Sequence, residues 1–217
     1  QEFRDRWKLT AVNSINWARV MAQVVYYFTT AAALGGPDHI PAFSVPTGNF
    51  GDAFAGHVAR RMGLNIGQMV IATNVNDILV RLLEAGEYRK GPVHATLSPS
   101  IDIQVSRNFE RLLFELSADD GAAVAKLMDQ LDTDGVFEMS DAAMARMRGQ
   151  FDGRRASEDE ILECMAQVHR TSGITVDPHT AVGIIAGRAH RRDGNGAMVY
   201  LSTAHPAKFP DAVERAI

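Results

Sequence analysis

A tight polar turn with two glycines, residues 47–52, is the part of this sequence best suited to binding an anion. It follows a short apolar run over residues 40–45 and precedes a helix-like segment over residues 53–62. A turn from a strand into a helix leaves backbone N–H groups of the helix N-terminus without partners, and the helix dipole favours negative charge there. Gly48 and Gly51 would allow positive φ and the close approach of a ligand oxygen. The pattern indicates a phosphate site, with a plain strand-to-helix connection as the alternative.

A second polar group, Asn13, Ser14 and Arg19, stands at the start of a helix that the apolar spacing predicts over residues 14–34. Asn13 and Ser14 are good N-caps, and capping alone would explain them. Arg19 lies one turn into an otherwise apolar helix, where its charge opposes the helix dipole. It is therefore either solvated or compensated by an anion.

Strand-like and helix-like segments alternate along the chain with short connections. Predicted strands cover residues 40–45, 67–73 and 197–201, and predicted helices cover residues 53–62 and 78–85. A further helix begins after Asp177 as N-cap, with Pro178 at its first position. The alternation predicts an α/β fold with a parallel sheet, which binds ligands at the carboxyl ends of its strands.

Three further segments carry structural expectations without chemistry. Residues 133–156 are charged, methionine-bearing and punctuated by glycines, and we expect a peripheral helical excursion there. Small residues over 181–187 predict a helix packed closely on the sheet, and residues 192–196 predict a turn. No linker or internal repeat marks a domain boundary, so we expect one segment over residues 1–217.

Composition narrows the class of protein. The chain has 217 residues, of which 46% are hydrophobic and 22% charged, as is ordinary for a globular protein with a sizeable core. A net charge of −4 gives no electrostatic case for nucleic acid or an anionic membrane, and no apolar run reaches the roughly 18 residues of a membrane span. The single cysteine, Cys164, excludes a disulfide framework and fits a reducing compartment, so we expect a buried thiol in a cytoplasmic protein.

The sequence lacks the motifs of several common classes of functional site. His179, His190 and His205 are dispersed and form no metal-ligand spacing, so we interpret each as a surface or packing residue. The G-x-S-x-G nucleophile elbow is absent, and no Gly-Lys-Ser/Thr follows the glycine turn. The anion-binding turn therefore carries the functional argument.

Residues 45–52, Val-Pro-Thr-Gly-Asn-Phe-Gly-Asp, closely resemble the cofactor-phosphate loop of threonine synthases, which are pyridoxal-phosphate enzymes of fold type II (tryptophan-synthase-β-like). Other stretches resemble the bacterial and fungal branch of that family in the same order: residues 13–19, 72–74, 97–102, 177–183 and 202–209. The resemblance implies a parallel-rich α/β sheet with helices on both faces and pyridoxal 5'-phosphate as cofactor. Family members are considerably longer, so we expect an incomplete fold, the central to C-terminal part of a larger enzyme.

The resemblance also implies a reaction, the conversion of O-phospho-L-homoserine and water into L-threonine and phosphate. Thr203 would donate a hydrogen bond to the ring nitrogen of the cofactor, and the role of Asp52 stays open. The substrate phosphate would be held by Asn13, Ser14 and Arg19. The cofactor phosphate would be held by the backbone amides of Thr47, Gly48, Asn49, Phe50 and Gly51.

The family's Schiff-base lysine belongs to an N-terminal Ser-Phe-Lys-Asp-type motif that this sequence lacks. Its lysines are Lys8, Lys90, Lys126 and Lys208, and none has that setting. We therefore expect the catalytic lysine outside this chain, and the chain alone to be inactive. Two alternatives stay open: another fold-type-II lyase, such as a threonine or serine dehydratase or a cysteine synthase, and a catalytically silent protein that binds a cofactor or anion.

Overall fold

The computed structural model describes residues 2–7, 13–191 and 196–217. The helices are α1 (Glu2–Trp7), α2 (Trp17–Ala33), α3 (Gly51–Arg61), α4 (Ile78–Ala85), α5 (Phe109–Leu116), α6 (Gly121–Thr133), α7 (Asp141–Arg148), α8 (Glu158–Ser172), α9 (Pro178–His190) and α10 (Pro210–Ala216). The strands are β1 (Ala42–Pro46), β2 (Met69–Thr73), β3 (Glu87–Arg89), β4 (Val136–Glu138), β5 (Phe151–Arg155) and β6 (Met198–Tyr200).

The main sheet has four strands in the order β5-β2-β1-β6, and every neighbouring pair is parallel. In the central pair Phe43 lies opposite Met69, and on the other side of β1 it lies opposite Val199. Strands β3 and β4 form a small antiparallel ribbon. The predicted parallel α/β fold is confirmed.

Both faces of the main sheet are covered by helices. Because successive side chains of a strand point to opposite faces, Met69 and Ile71 of β2 join a core cluster that includes residues of α2, α3, α4 and α5. Val70 and Ala72 join a second cluster formed with α8, α9 and α10. All five residues of β2 are buried, as expected for a parallel strand enclosed on both sides.

Helix α9 lies close against the sheet, as its small residues predicted. A Cβ added at Gly183 would lie 3.0 Å from Cγ of Pro46, and one at Gly187 would lie 2.6 Å from Cε1 of Tyr200. The Ser44 hydroxyl donates to the Gly183 carbonyl at 2.6 Å. Glycine at these positions therefore lets the helix backbone approach β1 and β6.

The start of α2 differs from the prediction. The N-cap is Asn16, whose side chain accepts from the Ala18 amide at 2.9 Å, and the helix begins at Trp17 instead of Ser14. Asn13 and Ser14 precede the cap. Capping therefore does not account for the Ser14 side chain.

Residues 133–156, expected as a helical excursion, contain β4, α7 and β5. Strand β5 forms the edge of the main sheet beside β2, with Gly153 opposite Ile71. The glycine and the charged residues of β5 hide a strand from a periodicity argument, since an edge strand needs fewer apolar side chains. Most of the turn predicted at residues 192–196 lies outside the described residues.

Among the described residues, no helix is both long and apolar enough to cross a membrane. Cys164 is buried on α8, as expected, and burial raises the pKa of its thiol.

Candidate functional site

A cleft of about 620 Å³ opens at the carboxyl ends of β1 and β6. Its walls come from the start of α2, the loop between β1 and α3, a short 3₁₀ turn (Pro99–Ile101), the start of α9 and the residues after β6. The cleft lies where open parallel sheets bind their ligands. It brings together the glycine turn, Ser14, Arg19 and Thr203.

The loop after β1 presents backbone amides to this cleft. Thr47 still belongs to the sheet, since its N–H donates to the Ala72 carbonyl at 2.7 Å. The amides of residues 48–53 have no hydrogen-bond partner among the described residues. Phe50 is the N-cap residue of α3, and no side chain caps this helix end. The unpartnered amides and the helix dipole would together favour an anion at this end of the cleft.

The glycines of this loop serve a different purpose from the one predicted. Neither Gly48 nor Gly51 has positive φ, and the left-handed residue is Phe50, with φ 63°. That prediction was wrong because the turn into α3 falls one residue earlier than Gly51. Gly48 is needed for close approach instead, since a Cβ there would collide with the Ser100 carbonyl oxygen. A Cβ at Gly51 would meet nothing nearer than 3.5 Å.

The side chain of Phe50 anchors the loop in the core. Its ring centroid lies 5.6 Å from that of Phe109 and 5.6 Å from that of Phe151, and the residue is 1% exposed. Burial of this aromatic ring stabilises the strained left-handed backbone, because aromatic packing outweighs a cost of the order of 1 kcal/mol.

The segment before α5 holds the loop from the other side. The Ser106 hydroxyl donates to the Gly48 carbonyl at 2.8 Å. Asn108 donates its backbone N–H to the Asn49 carbonyl at 3.1 Å. Its side-chain amide donates to that same carbonyl at 2.9 Å and to the Ser14 carbonyl at 2.7 Å. Sequence reasoning missed these residues, because Ser and Asn before a helix are equally typical of ordinary capping.

The two predicted groups of anion-binding residues touch directly. The Asn49 side-chain amide donates to the Ser14 hydroxyl at 2.9 Å. Arg19 lines the cleft and is exposed, and its side chain makes no hydrogen bond or ion pair with the described residues. Asn13 is not among the residues that line the cleft, and its side chain accepts from the Ile15 amide at 3.2 Å.

Asp52 stands on the cleft wall in the first turn of α3. Burial raises the pKa of its carboxyl to about 6, and the nearby charge of Arg19 works in the opposite direction. Its backbone carbonyl accepts from the Tyr27 hydroxyl at 2.7 Å, which ties α3 to α2. Gln23 and Tyr26 of α2 also line the cleft and were not predicted.

Thr203 lines the cleft just after the end of β6. The Leu201 amide donates to the Ser44 carbonyl at 3.1 Å and so extends the pairing with β1 by one residue. Ser202 precedes Thr203 on the same wall. Thr203 is exposed, and its side chain has no hydrogen-bond partner among the described residues.

His179 is a buried packing residue, in keeping with the prediction, and it is 2% exposed. Its Nε2 accepts from the Ser100 amide at 3.1 Å, so Nδ1 carries the proton and donates to Asp177 at 2.8 Å. Burial alone would raise the pKa of Asp177, but hydrogen bonds from His179 and Thr180 outweigh burial and hold the pKa below its ordinary value. Asp177 also caps α9, as predicted.

No three His, Cys, Asp or Glu side chains within the described ranges are grouped to hold a metal ion. Of the lysines that the structure describes, none lines the cleft, and Lys90 pairs with Asp132 at 2.9 Å. Lys8 lies outside the described residues.

The fold and the cleft together define an open parallel α/β protein, in which the N-terminus of α3 and polar residues that follow the strands line one cleft. Residues 180–217 match the family model described as threonine synthase, C-terminal. The threonine synthase of Pseudomonas aeruginosa is 52% identical over 216 residues, which is all of this chain and 46% of that protein.

Solved structures agree with the sequence match. The crystal structure of a pyridoxal-phosphate-bound threonine synthase from Brucella melitensis superposes with a TM-score of 0.93 at 53% identity, over 99% of this chain and 46% of that one. Yeast threonine synthase gives a TM-score of 0.89 at 41% identity, over 94% of this chain and 44% of that one. Along its whole length the chain is similar to threonine synthases, and it has the α/β architecture of fold type II. It spans about half the length of the relatives it matches.

Proposed function

We propose that the protein containing this chain is a pyridoxal-phosphate-dependent threonine synthase, which converts O-phospho-L-homoserine and water into L-threonine and phosphate. The observation that carries the proposal is the cleft. Among the residues that the structure describes, the amides of residues 48–53 have no hydrogen-bond partner, and Arg19 beside them makes no ion pair. One cofactor phosphate and one substrate phosphate are the two anions that this reaction requires.

The residues present fit the phosphate of the cofactor. The free amides at the N-terminus of α3 suit a phosphate without a side-chain cation. We assign the phosphate contacts to the amides of Gly48, Asn49, Phe50 and Gly51. Thr47 lines the cleft, but its amide is not free to bind the phosphate because it donates to the Ala72 carbonyl of β2. Thr203 would donate a hydrogen bond from its hydroxyl to the ring nitrogen, and a hydroxyl partner leaves that nitrogen uncharged.

The cofactor, when bound, supplies an electron sink that stabilises a carbanion of the substrate. The residues of this chain would bind and orient the cofactor and the substrate. Arg19 would hold the substrate phosphate by a charge-assisted hydrogen bond, and the Ser14 hydroxyl would stand beside it. Asn13 is a weaker candidate, because its side chain turns back to the Ile15 amide. We infer that the lysine that anchors the cofactor comes from another part of the protein.

An assay of the whole protein tests the proposal. With pyridoxal phosphate present, the protein should release inorganic phosphate from O-phospho-L-homoserine and form threonine. Dehydration of free threonine or serine without phosphate release would instead favour another fold-type-II lyase. Absence of both reactions would favour a silent binding protein. We further infer a cytoplasmic location, because the single cysteine is a buried, unpaired thiol.

A further inference from the structure

The buried cluster at the start of α9, formed by Asp177, His179 and Thr180, has two arms that reach different parts of the cleft. The three side chains are at most 4% exposed. Asp177 caps the helix by accepting from the His179 and Thr180 amides, and it also accepts from both of their side chains. A helix cap needs only the backbone contacts, so the two side-chain arms call for a separate explanation.

The first arm reaches the loop that contains Gly48. His179 accepts from the Ser100 amide at 3.1 Å. The Ser100 carbonyl is the group that a Cβ at Gly48 would strike. His179 thereby fixes the position of the Ser100 backbone, which packs against Gly48. Because Asp177 accepts a hydrogen bond from the Nδ1–H group, the proton stays on Nδ1 and Nε2 is free to accept from Ser100.

The second arm reaches the strand end that carries Thr203. The hydroxyls of Thr180 and Ser202 are hydrogen-bonded at 3.3 Å, one residue before Thr203. The Thr180 hydroxyl also donates to the carboxylate of Asp177. One buried carboxylate therefore connects the phosphate end of the cleft with the end that carries Thr203.

We propose that Asp177, His179 and Thr180 form a positioning cluster, which sets the spacing between the Gly48 loop and Thr203 and so selects a ligand with a phosphate at one end and a ring nitrogen at the other. The inference rests on the proposed function for the identity of that ligand. It assigns no chemistry to the cluster, since none of the three residues need touch reacting atoms.

Two variants separate the arms. His179→Phe keeps an aromatic ring against Phe209 but loses the contact with Ser100, and Thr180→Val keeps the shape but loses the hydroxyl. Affinities of the full-length protein for inorganic phosphate and for pyridoxal phosphate are measured by calorimetry. His179→Phe should weaken both ligands by about tenfold, the loss of roughly one hydrogen bond. Thr180→Val should weaken only pyridoxal phosphate, and should also shift its absorption band.

Two further variants guard against a merely structural effect. Thr73→Val is the matched control, because the Thr73 hydroxyl is buried and has no partner among the described residues. It should change neither affinity. His179→Gln places a carbonyl oxygen near the position of Nε2 and should recover part of the phosphate affinity. The proposal would be overturned if Thr180→Val weakened phosphate binding as much as His179→Phe does, or if neither variant weakened the binding of either ligand.

Hydrogen exchange keeps the cluster testable even if the wild-type protein binds neither ligand, a result that would refute the proposed function alone. His179→Phe should accelerate amide exchange at Ser100 and leave Leu201 unchanged, and Thr180→Val should do the reverse. Uniform acceleration, or none, would show that the two arms do not position the two ends of the cleft.

Discussion

The loop over residues 47–53 and two residues of the segment 13–19, Ser14 and Arg19, line the cleft, but the two regions would offer an anion different kinds of group. The loop uses backbone amides whose positions are fixed by the buried ring of Phe50 and by hydrogen bonds from Ser106 and Asn108. The segment would use the exposed side chain of Arg19, which makes no hydrogen bond or ion pair within the part of the chain that the structure describes. The first site exists before any ligand arrives, whereas the second requires a long side chain to become ordered on binding.

The difference fits two ligands with different residence times. A preorganised site loses little entropy on binding and suits a group that stays bound, such as a cofactor phosphate. An arginine at the rim attracts its ligand at long range and releases it readily, which suits a substrate that is consumed in each cycle. Four substitutions, ordered by expected effect, probe this contrast.

Gly48→Ala should have the largest effect, because the new Cβ would collide with the Ser100 backbone. We expect a loss of at least about 2 kcal/mol in the free energy of unfolding and about a hundredfold weaker phosphate binding. Urea denaturation and calorimetry would measure the two quantities. Gly121→Ala is the control, since a Cβ there meets nothing nearer than 3.9 Å. Unchanged phosphate affinity in the G48A variant would show that the loop is not held rigidly.

Asn108→Ala should separate the two regions from each other. The change removes the side-chain bonds to the Asn49 and Ser14 carbonyls and should cost about 2–3 kcal/mol of stability. Faster hydrogen exchange should follow at residues 14–16 and 48–50. Asn65→Ala, at an exposed asparagine, should change stability by less than about 0.5 kcal/mol. Equal effects of the two variants would show that the Asn108 side chain does not hold the two regions together.

Asp52→Asn should stabilise the protein in a pH-dependent way. The pKa of Asp52 is raised from 3.8 to about 6 in the folded state. The protonated Asp52 carboxyl therefore contributes fully to the free energy of unfolding below its unfolded-state pKa, and this contribution is lost as pH rises through about 6. Asn avoids the buried negative charge, so the variant should gain about 1–3 kcal/mol at pH 7.5 compared with pH 4. Unfolding curves at both pH values would measure this, and an equal effect at both would contradict it.

Arg19→Ala should have the smallest effect on stability, less than about 0.5 kcal/mol, because the side chain is exposed and makes no hydrogen bond or ion pair with the described residues. In the whole enzyme it should raise KM for the phosphorylated substrate about tenfold, through loss of a charge-assisted contact. Cofactor affinity should not change. Arg170→Ala, at an exposed arginine on α8, is the control for KM. An unchanged KM would remove Arg19 from the substrate site.

The sequence predicted the elements whose signals are local. The Asp177 cap with Pro178 at the first helical position appears in the structure where the sequence placed it. Strands β1, β2 and β6 were also predicted within two residues or so of their bounds, because apolar runs between turns mark strands of a parallel sheet. Strands β1 and β2 are buried, whereas the edge strand β6 is half-buried. Strand β5 was missed, since its charged residues and Gly153 resemble a loop.

Most of the candidate site could also be predicted from the sequence. The strand-turn-helix order at Gly48 predicted free amides, and the structure has them over residues 48–53. The predicted residues Ser14, Arg19 and Thr203 line the same cleft. The roles of these residues toward cofactor and substrate remain proposals.

What the sequence determined by itself is local: helix ends, the period of the strands, and a turn whose amides must go unpaired. What only the tertiary structure decided is which distant groups meet there. Asn108 reaches Ser14 across 94 positions, and His179 supports Ser100 across 79. No periodicity encodes such contacts, because they follow from how the helices pack on the sheet. The same packing explains why Gly48 must be glycine, a requirement set by a carbonyl from another loop and not by φ.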